Sequence, residues 1–397
     1  MARKIKAIST LAVLLVAAAA AQENAGQALP DLIRGNERFG RKLLQQVHST
    51  APERNVVVAP LPLSILFGAI QAGVGYGKNT DEIENTFGWR GQYISLSARM
   101  ILAAFSKPEQ SCKPDGVLCL TPEGAWIDTT FLYHSTKQFP DPISPDFRHM
   151  AEKYFGITFV SLGEKNPSKP LAQAKSADVE SNDFSVRVST HLETAWRGNT
   201  FSMSTPYKGR FQPITGIEEL TEMVNSELEM YLYAKTDSFE AVALPCWRAY
   251  MIAVLPAAGK DIHDLERELA ENPEALDAAL QRRVGFVSMP VFHIVFESDL
   301  HQSIKALGIR SAFIDLGSII KIPESHLQQI NQKVDIQVDK QGIRADAETV
   351  AGGVYGGIMA GQKPFHMELN RPFIFIIRDQ VTNALLFMGA VMDPSKH

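Results

Sequence analysis

Residues Val334 to Pro372 read VDIQVDKQGIRADAETVAGGVYGGIMAGQKPFHMELNRP. The stretch opens in strict alternation, with Val334, Ile336 and Val338 on one face and Asp335, Gln337 and Asp339 on the other, the period of a half-buried strand. After Gly342 the alternation resumes on the opposite parity: Ile343, Ala345, Ala347, Thr349 and Ala351 share a face, while Arg344, Asp346 and Glu348 point the other way. From Gly352 it dissolves into GGVYGGIMAGQKP, small-sided and glycine-rich, with little that could hold a core. A segment written like a strand therefore sits where the chain otherwise reads as exposed loop. The first part also reads as a helix, with Ile343, Ala347, Val350, Ala351 and Val354 on one side, and periodicity does not separate the two for so short a run.

A hinge glycine, an alanine-rich strand-like run, a variable bait and an aromatic-rich terminal segment, NRPFIFIIRDQVTNALLFMGAVMDP (Asn370 to Pro394), together resemble the serpins, the large serine protease inhibitors. The match is specific at Asn370-Arg371-Pro372-Phe373 and at Leu386-Phe387-Met388-Gly389. Upstream, NVVVAPLPLSILFGAIQAG (Asn55 to Gly73) reads as a short apolar strand, a Pro-bounded turn and a buried helix, preceded by the helical stripe Phe39, Leu43, Leu44 and Val47. It is similar to the serpin sequence after the first helix, with Asn55, Pro60 and Ser64 in register. Leu244-Pro245 and Met251 to Pro256 look like two hairpin strands, and Val287 to Phe296 like the family's proline-containing strand. The likeness runs from about residue 33 to Pro394 and is weak between roughly 107 and 186, where Leu162 to Trp196 leaves too little chain for a full covering helix and its return.

The resemblance implies an α+β, serpin-like single domain over residues 22–397. A large central sheet, further sheets and surrounding helices would carry an exposed reactive-centre loop at about 342–369. Its hinge would comprise Gly342, Ile343, Arg344, Ala345, Asp346, Ala347, Glu348 and Thr349. Fourteen residues beyond Gly342 (342 + 14 = 356), the reactive bond falls at Gly356-Gly357 beside Tyr355. Small neighbours fit an elastase-like protease and Tyr355 a chymotrypsin-like one. Trp196 matches the tryptophan at the top of the sheet where the loop inserts; as a lone residue before Arg197-Gly198 it reads simply as core. Two charges usually paired near the hinge are replaced by Lys340 and Val291. The polar cluster under the sheet is replaced by Ala59, Pro62, Val188 and Gln332, and a buried network lost nearly whole costs less than one half kept.

Residues 1–21 carry Arg3, Lys4 and Lys6, an apolar run and an A-x-A site at Ala19 to Ala21, the pattern of a signal peptide rather than a membrane span. The mature protein is expected to be secreted and extracellular, or periplasmic in a bacterium. With 397 residues, 45% hydrophobic and 21% charged, the chain can bury a sizeable core, and its net charge of −5 argues against a nucleic-acid surface. Of three cysteines, Cys112 and Cys119 bracket a KPDGVL turn and are expected to form a disulfide, whereas Cys246 reads as an inert core thiol. Neither metal nor cofactor is expected, and a monomer is. Gly73 to Lys78 only mimics a phosphate loop: Ala72 stands where the first glycine belongs and Asn79 where the metal-binding hydroxyl belongs. It reads instead as a loop before a helix capped by Asn79, with Glu82 in the reciprocal position.

No nucleophile, base and orienting group form a recognisable motif, so an enzyme is not expected. Two functions remain. In one, a serine protease cleaves the bait, becomes acylated and is trapped as the freed hinge inserts into the central sheet. Insertion requires small or apolar residues on the buried face, and Ile343, Ala345, Ala347, Thr349 and Ala351 satisfy that. In the other, a helical loop does not insert and the protein is a non-inhibitory binding or carrier protein. Processing can be checked first: mass spectrometry of exported protein should find an N-terminus at or near Gln22 and a Cys112–Cys119 bridge, and two free thiols in oxidised native material would exclude the bridge.

Overall fold

In the computed structural model, the described residues are 29–74, 77–89, 94–105, 124–133, 135, 140–161, 184–197, 200–201, 204–313, 316–322, 325–345 and 363–396. The expected signal segment Met1 to Ala21, Cys112 and Cys119, most of the divergent stretch after Leu162, and the expected loop residues Asp346, Ala347, Glu348, Thr349, Tyr355, Gly356 and Gly357 lie outside them.

The helix at 29–48 (α1) buries the stripe Phe39, Leu43, Leu44 and Val47. Strand β1 (Val56–Val58) follows, entirely buried, and Pro60 then opens α2 (Pro60–Val74) at the first helical position, where its missing N–H costs nothing. Every residue of α2 from Pro60 to Gln71 is buried, so the helix is apolar all round and runs through the interior rather than along a face. Its one early hydroxyl is satisfied: Ser64 Oγ donates to Asn36 Oδ1 at 2.9 Å, and Asn36 Nδ2 donates to the Leu385 carbonyl at 2.9 Å. Helix α3 (Lys78–Phe87) corrects the expected cap. It starts one residue before Asn79, its N-cap is Gly77 with no side-chain bond, and Glu82 Oε2 instead accepts from the Arg310 and Ser311 backbone N–H groups at 2.7 and 2.6 Å.

Helix α4 (Ile94–Ala104), strand β2 (Gly124–Tyr133), helix α5 (Pro145–Phe155), strand β3 (Ile157–Ser161) and strand β4 (Phe184–Ala195) come next. They are followed by β5 (Tyr207–Phe211), β6 (Glu219–Asn225), β7 (Glu229–Lys235), and the hairpin β8 (Phe239–Pro245) and β9 (Ala249–Pro256) expected from the sequence. Helices α6 (Ile262–Glu271) and α7 (Pro273–Ala279), strands β10 (Gln281–Pro290) and β11 (Phe292–Asp299) and helix α8 (His301–Ala306) lead to β12 (Leu327–Val338). Strands β13 (Gly342–Ala345), β14 (Phe365–Glu368), β15 (Phe373–Asp379) and β16 (Leu385–Val391) complete the order.

Two sheets result. A ten-stranded sheet runs β1-β16-β15-β9-β8-β7-β10-β6-β5, with β14 added parallel to β10. Every residue of β15 and β16 is buried, which explains why FIFII (Phe373 to Ile377) and LLFMGAV run without polar alternation, before β15 ends on Arg378 and Asp379. The second, six-stranded sheet runs β11-β12-β13-β4-β2-β3. In β12 the alternation is realised: Val334, Ile336 and Val338 are buried, while Asp335 and Gln337 are half-buried. Cys246 is fully buried immediately after β8.

Strand β15 buries two charged residues of the ten-stranded sheet, Arg378 and Asp379. Arg378 of β15 donates to Glu37 Oε1 at 2.9 Å and to both Asp277 oxygens at 2.8 and 3.0 Å, and Arg41 Nε donates to the same Glu37 oxygen at 2.7 Å. Burial alone would raise the Glu37 carboxyl. The Arg378 and Arg41 guanidiniums outweigh it and hold the group below its ordinary 4.5. Because the folded carboxyl binds its proton less readily than the unfolded one, this stabilisation is fully present above the ordinary value and is lost as pH falls through the lower folded one. Replacing Glu37 with Gln should lower stability at neutral pH by roughly 3 kcal/mol, the lower end of the cost of unpairing a buried charge. It should also flatten the acid limb of urea midpoints measured against pH.

Candidate loop-insertion site

The chain reverses between β12 and β13 through Asp339-Lys340-Gln341-Gly342. Asp339 builds this turn: its backbone N–H donates to the Gly342 carbonyl at 3.1 Å, and its Oδ1 accepts from the Gln341 and Gly342 N–H groups at 2.7 and 3.3 Å. Its other oxygen pairs with Arg344 at 3.2 Å. Arg344 also donates to Gln341 Oε1. Trp196 closes the turn from β4, with Nε1 donating to the Asp339 carbonyl at 2.7 Å and its backbone N–H to the Gln341 carbonyl at 3.2 Å. The ring is 4% exposed and stands edge-on to Phe201.

Strand β13 lies between β12 and β4. It pairs antiparallel with β12 at Val338↔Ile343 and Gln337↔Arg344, and antiparallel with β4 at Ala195↔Gly342, Thr194↔Ile343, Glu193↔Arg344 and Leu192↔Ala345. Below it β12 and β4 pair directly and in parallel, from Leu327↔Phe184 to Gln332↔Val188. Between these zones, residues 333–336 of β12 and 189–191 of β4 have no ladder partner on that side among the described residues. The sheet is thus parted at one end by four residues and zipped at the other.

The four residues suit that position. Gly342 is required by close approach: a Cβ there would lie 2.2 Å from the Thr194 carbonyl oxygen and 2.8 Å from Ala195 Cα, backbone atoms that have no rotamer with which to yield. Ile343 is fully buried in the core. Arg344 faces the other way, half-buried and ion-paired, rather than simply solvated. Gly342 to Ala345 are strand, and the remainder of the run that also reads as a helix lies outside the described residues.

Lys340 is exposed at the turn, and Val291 packs half-buried against the core, so an apolar contact occupies that corner. Gln332 is 1% exposed. Its side chain holds Ala59 by both backbone groups, accepting from the N–H at 2.9 Å and donating to the carbonyl at 2.7 Å. It thereby uses its full amide where Ala59, Pro62 and Val188 offer no side-chain partner. The turn residue Asp339 was not singled out in the sequence, although Asp at the first and Gly at the fourth position of a reverse turn is a readable signal.

The start of the expected loop is thus seated as a strand between β12 and β4, and those two strands pair directly beyond it. The family model described as Serpin (serine protease inhibitor) matches residues 34–394. The chain belongs to the serpin family, whose members target serine proteases and are inhibitors rather than enzymes. It is 22% identical to Serpin-ZX of Arabidopsis thaliana, over 88% of this chain and 94% of that one. It is 24% identical to Serpin-Z4 of Hordeum vulgare, over 90% and 95%. In structure it is similar to human thyroxine-binding globulin complexed with thyroxine, with a TM-score of 0.74 at 16% identity over 92% of this chain and 99% of that one. It is also similar to mouse protein-Z dependent protease inhibitor, with a TM-score of 0.73 at 20% identity over 94% and 99%.

Gly342→Ala should drive the hinge out of the sheet. Amide exchange at residues 342–345 should then rise to loop rates, with the turn contact to Trp196 lost from its fluorescence; unchanged protection would show that the backbone gap is wider than 2.2 Å implies.

Proposed function

We propose that this serpin inhibits a serine protease as a suicide substrate, by cleavage of the loop and insertion of its freed arm between β12 and β4. The observation that carries the reading is β13 itself, already paired on both sides with those strands. After cleavage, Ala347, Thr349 and Ala351 would follow Ile343 and Ala345 onto the buried face, while Asp346 and Glu348 would follow Arg344. Each added ladder bond contributes about 1 kcal/mol net, and burial of the small side chains adds to it, so complete insertion stabilises the fold by far more than a surface nick could. Cleavage is assigned to Gly356-Gly357 beside Tyr355, which selects an elastase-like or chymotrypsin-like protease. The inhibitor acts as a secreted monomer after removal of Met1 to Ala21.

A second reading is a non-inhibitory binding or carrier protein. It is favoured by the structural likeness to thyroxine-binding globulin.

Two measurements separate them. An inhibitor gives a complex with its protease that survives denaturing electrophoresis, and its melting midpoint rises sharply when the loop is cut. Ile343→Arg should remove that rise by placing an unpaired charge on the insertion face, whereas Glu348→Lys should leave it intact. An unchanged midpoint after cleavage of the native sequence would sink the trapping mechanism in favour of the carrier reading. A cut at Lys363 would move the bait and point to trypsin-like specificity.

A further inference from the structure

His48, His263 and Glu266 take no part in the hinge. His48 ends α1, and His263 and Glu266 lie three residues apart in the first turns of α6, on one face of that helix. His48 Nδ1 is 2.6 Å from Glu266 Oε1, and His263 Nδ1 is 3.6 Å from Glu266 Oε2. The two rings are tilted by 56° with centroids 4.7 Å apart. One donor atom from each of the three side chains lies within 4.8 Å of the other two. The His48 side chain is fully buried and that of Glu266 3% exposed, while that of His263 is 30% exposed and opens the cluster to solvent. His48 Nε2 has no hydrogen-bond partner among the described residues.

We propose that His48, His263 and Glu266 bind a divalent transition-metal ion, Zn2+ first among them, with one coordination position left open. Two imidazoles and one carboxylate are a donor set that Zn2+ takes in three-ligand sites, whereas Ca2+ and Mg2+ require oxygen ligands throughout. A tetrahedral ion with ligands at about 2.0–2.2 Å holds its donors about 3.4 Å apart, and the observed 2.6 and 3.6 Å bracket that spacing. A shift of under about 1 Å in side chains already converged therefore seats the ion. Glu266 supplies negative charge, and the first-turn carboxylates Asp261 and Asp264 offset the positive end of α6.

A hydrogen-bonded His48–Glu266 pair does not by itself call for His263 beside it, whereas a three-ligand metal site does. The ion would join α1 to α6, segments whose ligands His48 and Glu266 lie 218 residues apart in sequence, and so would favour the folded chain alone.

The test uses the full mature chain, stripped of metal with a chelator and titrated with ZnCl2 by calorimetry and with CoCl2 by visible absorption. One Zn2+ per chain, the intense d–d bands of tetrahedral Co2+ and a higher melting midpoint are expected. His263→Ala, at the most exposed ligand, should weaken Zn2+ binding on the order of a hundredfold, at or beyond the upper end of what losing a supporting group costs, and abolish the bands. Absence of saturable binding overturns the proposal. So does His263→Ala binding as tightly as the parent chain, which would place the ion elsewhere among the ten histidines. If that variant does not fold, the parent chain decides: saturating Zn2+ should protect His263 from diethyl pyrocarbonate, and full modification would rule the site out.

Discussion

The ladder of backbone hydrogen bonds between β12 and β4 is the constraint on which the rest of this structure depends. These two strands run parallel at the centre of the six-stranded sheet, with β11 outside one and β2 outside the other. A parallel seam carries no hairpin of its own and can be parted without breaking the chain. It is zipped as far as Gln332↔Val188 and held apart by β13 from Gln337 upward. Internal strand segments that lack a partner cost free energy in backbone groups left unpaired, and a segment able to pair on both sides removes that cost. The hinge chemistry follows: Gly342 because the Thr194 carbonyl leaves no room, Ile343 because the inward face is core, and Arg344 because the outward face meets Asp339 and lies in register with Glu193.

The turn that delivers β13 is fixed independently of the seam. Asp339 satisfies the N–H groups of Gln341 and Gly342 by its side chain, and Trp196 satisfies the turn carbonyls from β4. Trp196 is therefore more than core filling, since its indole N–H and its backbone N–H both end on the turn. Loss of this corner would leave donors and acceptors unpaired on both strands at once, and this is the physical reason that a tryptophan with a polar edge, rather than a phenylalanine, serves there.

Much of this was legible in the residues because burial writes itself as periodicity. The alternation at Val334, Ile336 and Val338 is the buried face of β12, and the apolar runs Phe373 to Ile377 of β15 and Leu385 to Val391 of β16 are strands covered on both sides. Ile343, buried in β13, follows the same rule. What periodicity does not carry are contacts between residues distant in sequence. Gln332 reads as an ordinary polar residue until its amide is seen gripping Ala59, and His48 with Glu266 becomes a pair only when α1 and α6 are packed. The Asn79 cap failed because Gly77 closes the helix start by backbone geometry alone, leaving Glu82 available to the turn at Ser311. A capping-box pattern names side chains that are able to cap, and tertiary neighbours decide which donors they meet.

The replaced polar cluster bears on how the seam opens. Gln332 belongs to β12, and its partner Ala59 lies between β1 and α2, so neither end of that bonded pair belongs to β4. The grip therefore fixes β12 and its neighbour β11 to the core near β1, with which both are in contact. On the other side, β4 and β2 rest on α2, whose buried surface is almost wholly apolar, and Val188 places an apolar side chain at the last paired position of the seam. Dispersion contacts of this kind change gradually as surfaces slide, whereas a buried hydrogen bond must be broken outright. Beneath the sheet, β12 is thus held through a hydrogen-bonded pair, and β4 with β2 through apolar contact with α2. With Val188 and Pro62 in place, unzipping past Gln332 requires separation of the ladder itself and no additional bond between these side chains across the seam. Loss of polar residues beneath a sheet thus need not lock it, because the polar contact that remains at Gln332 does not cross the seam.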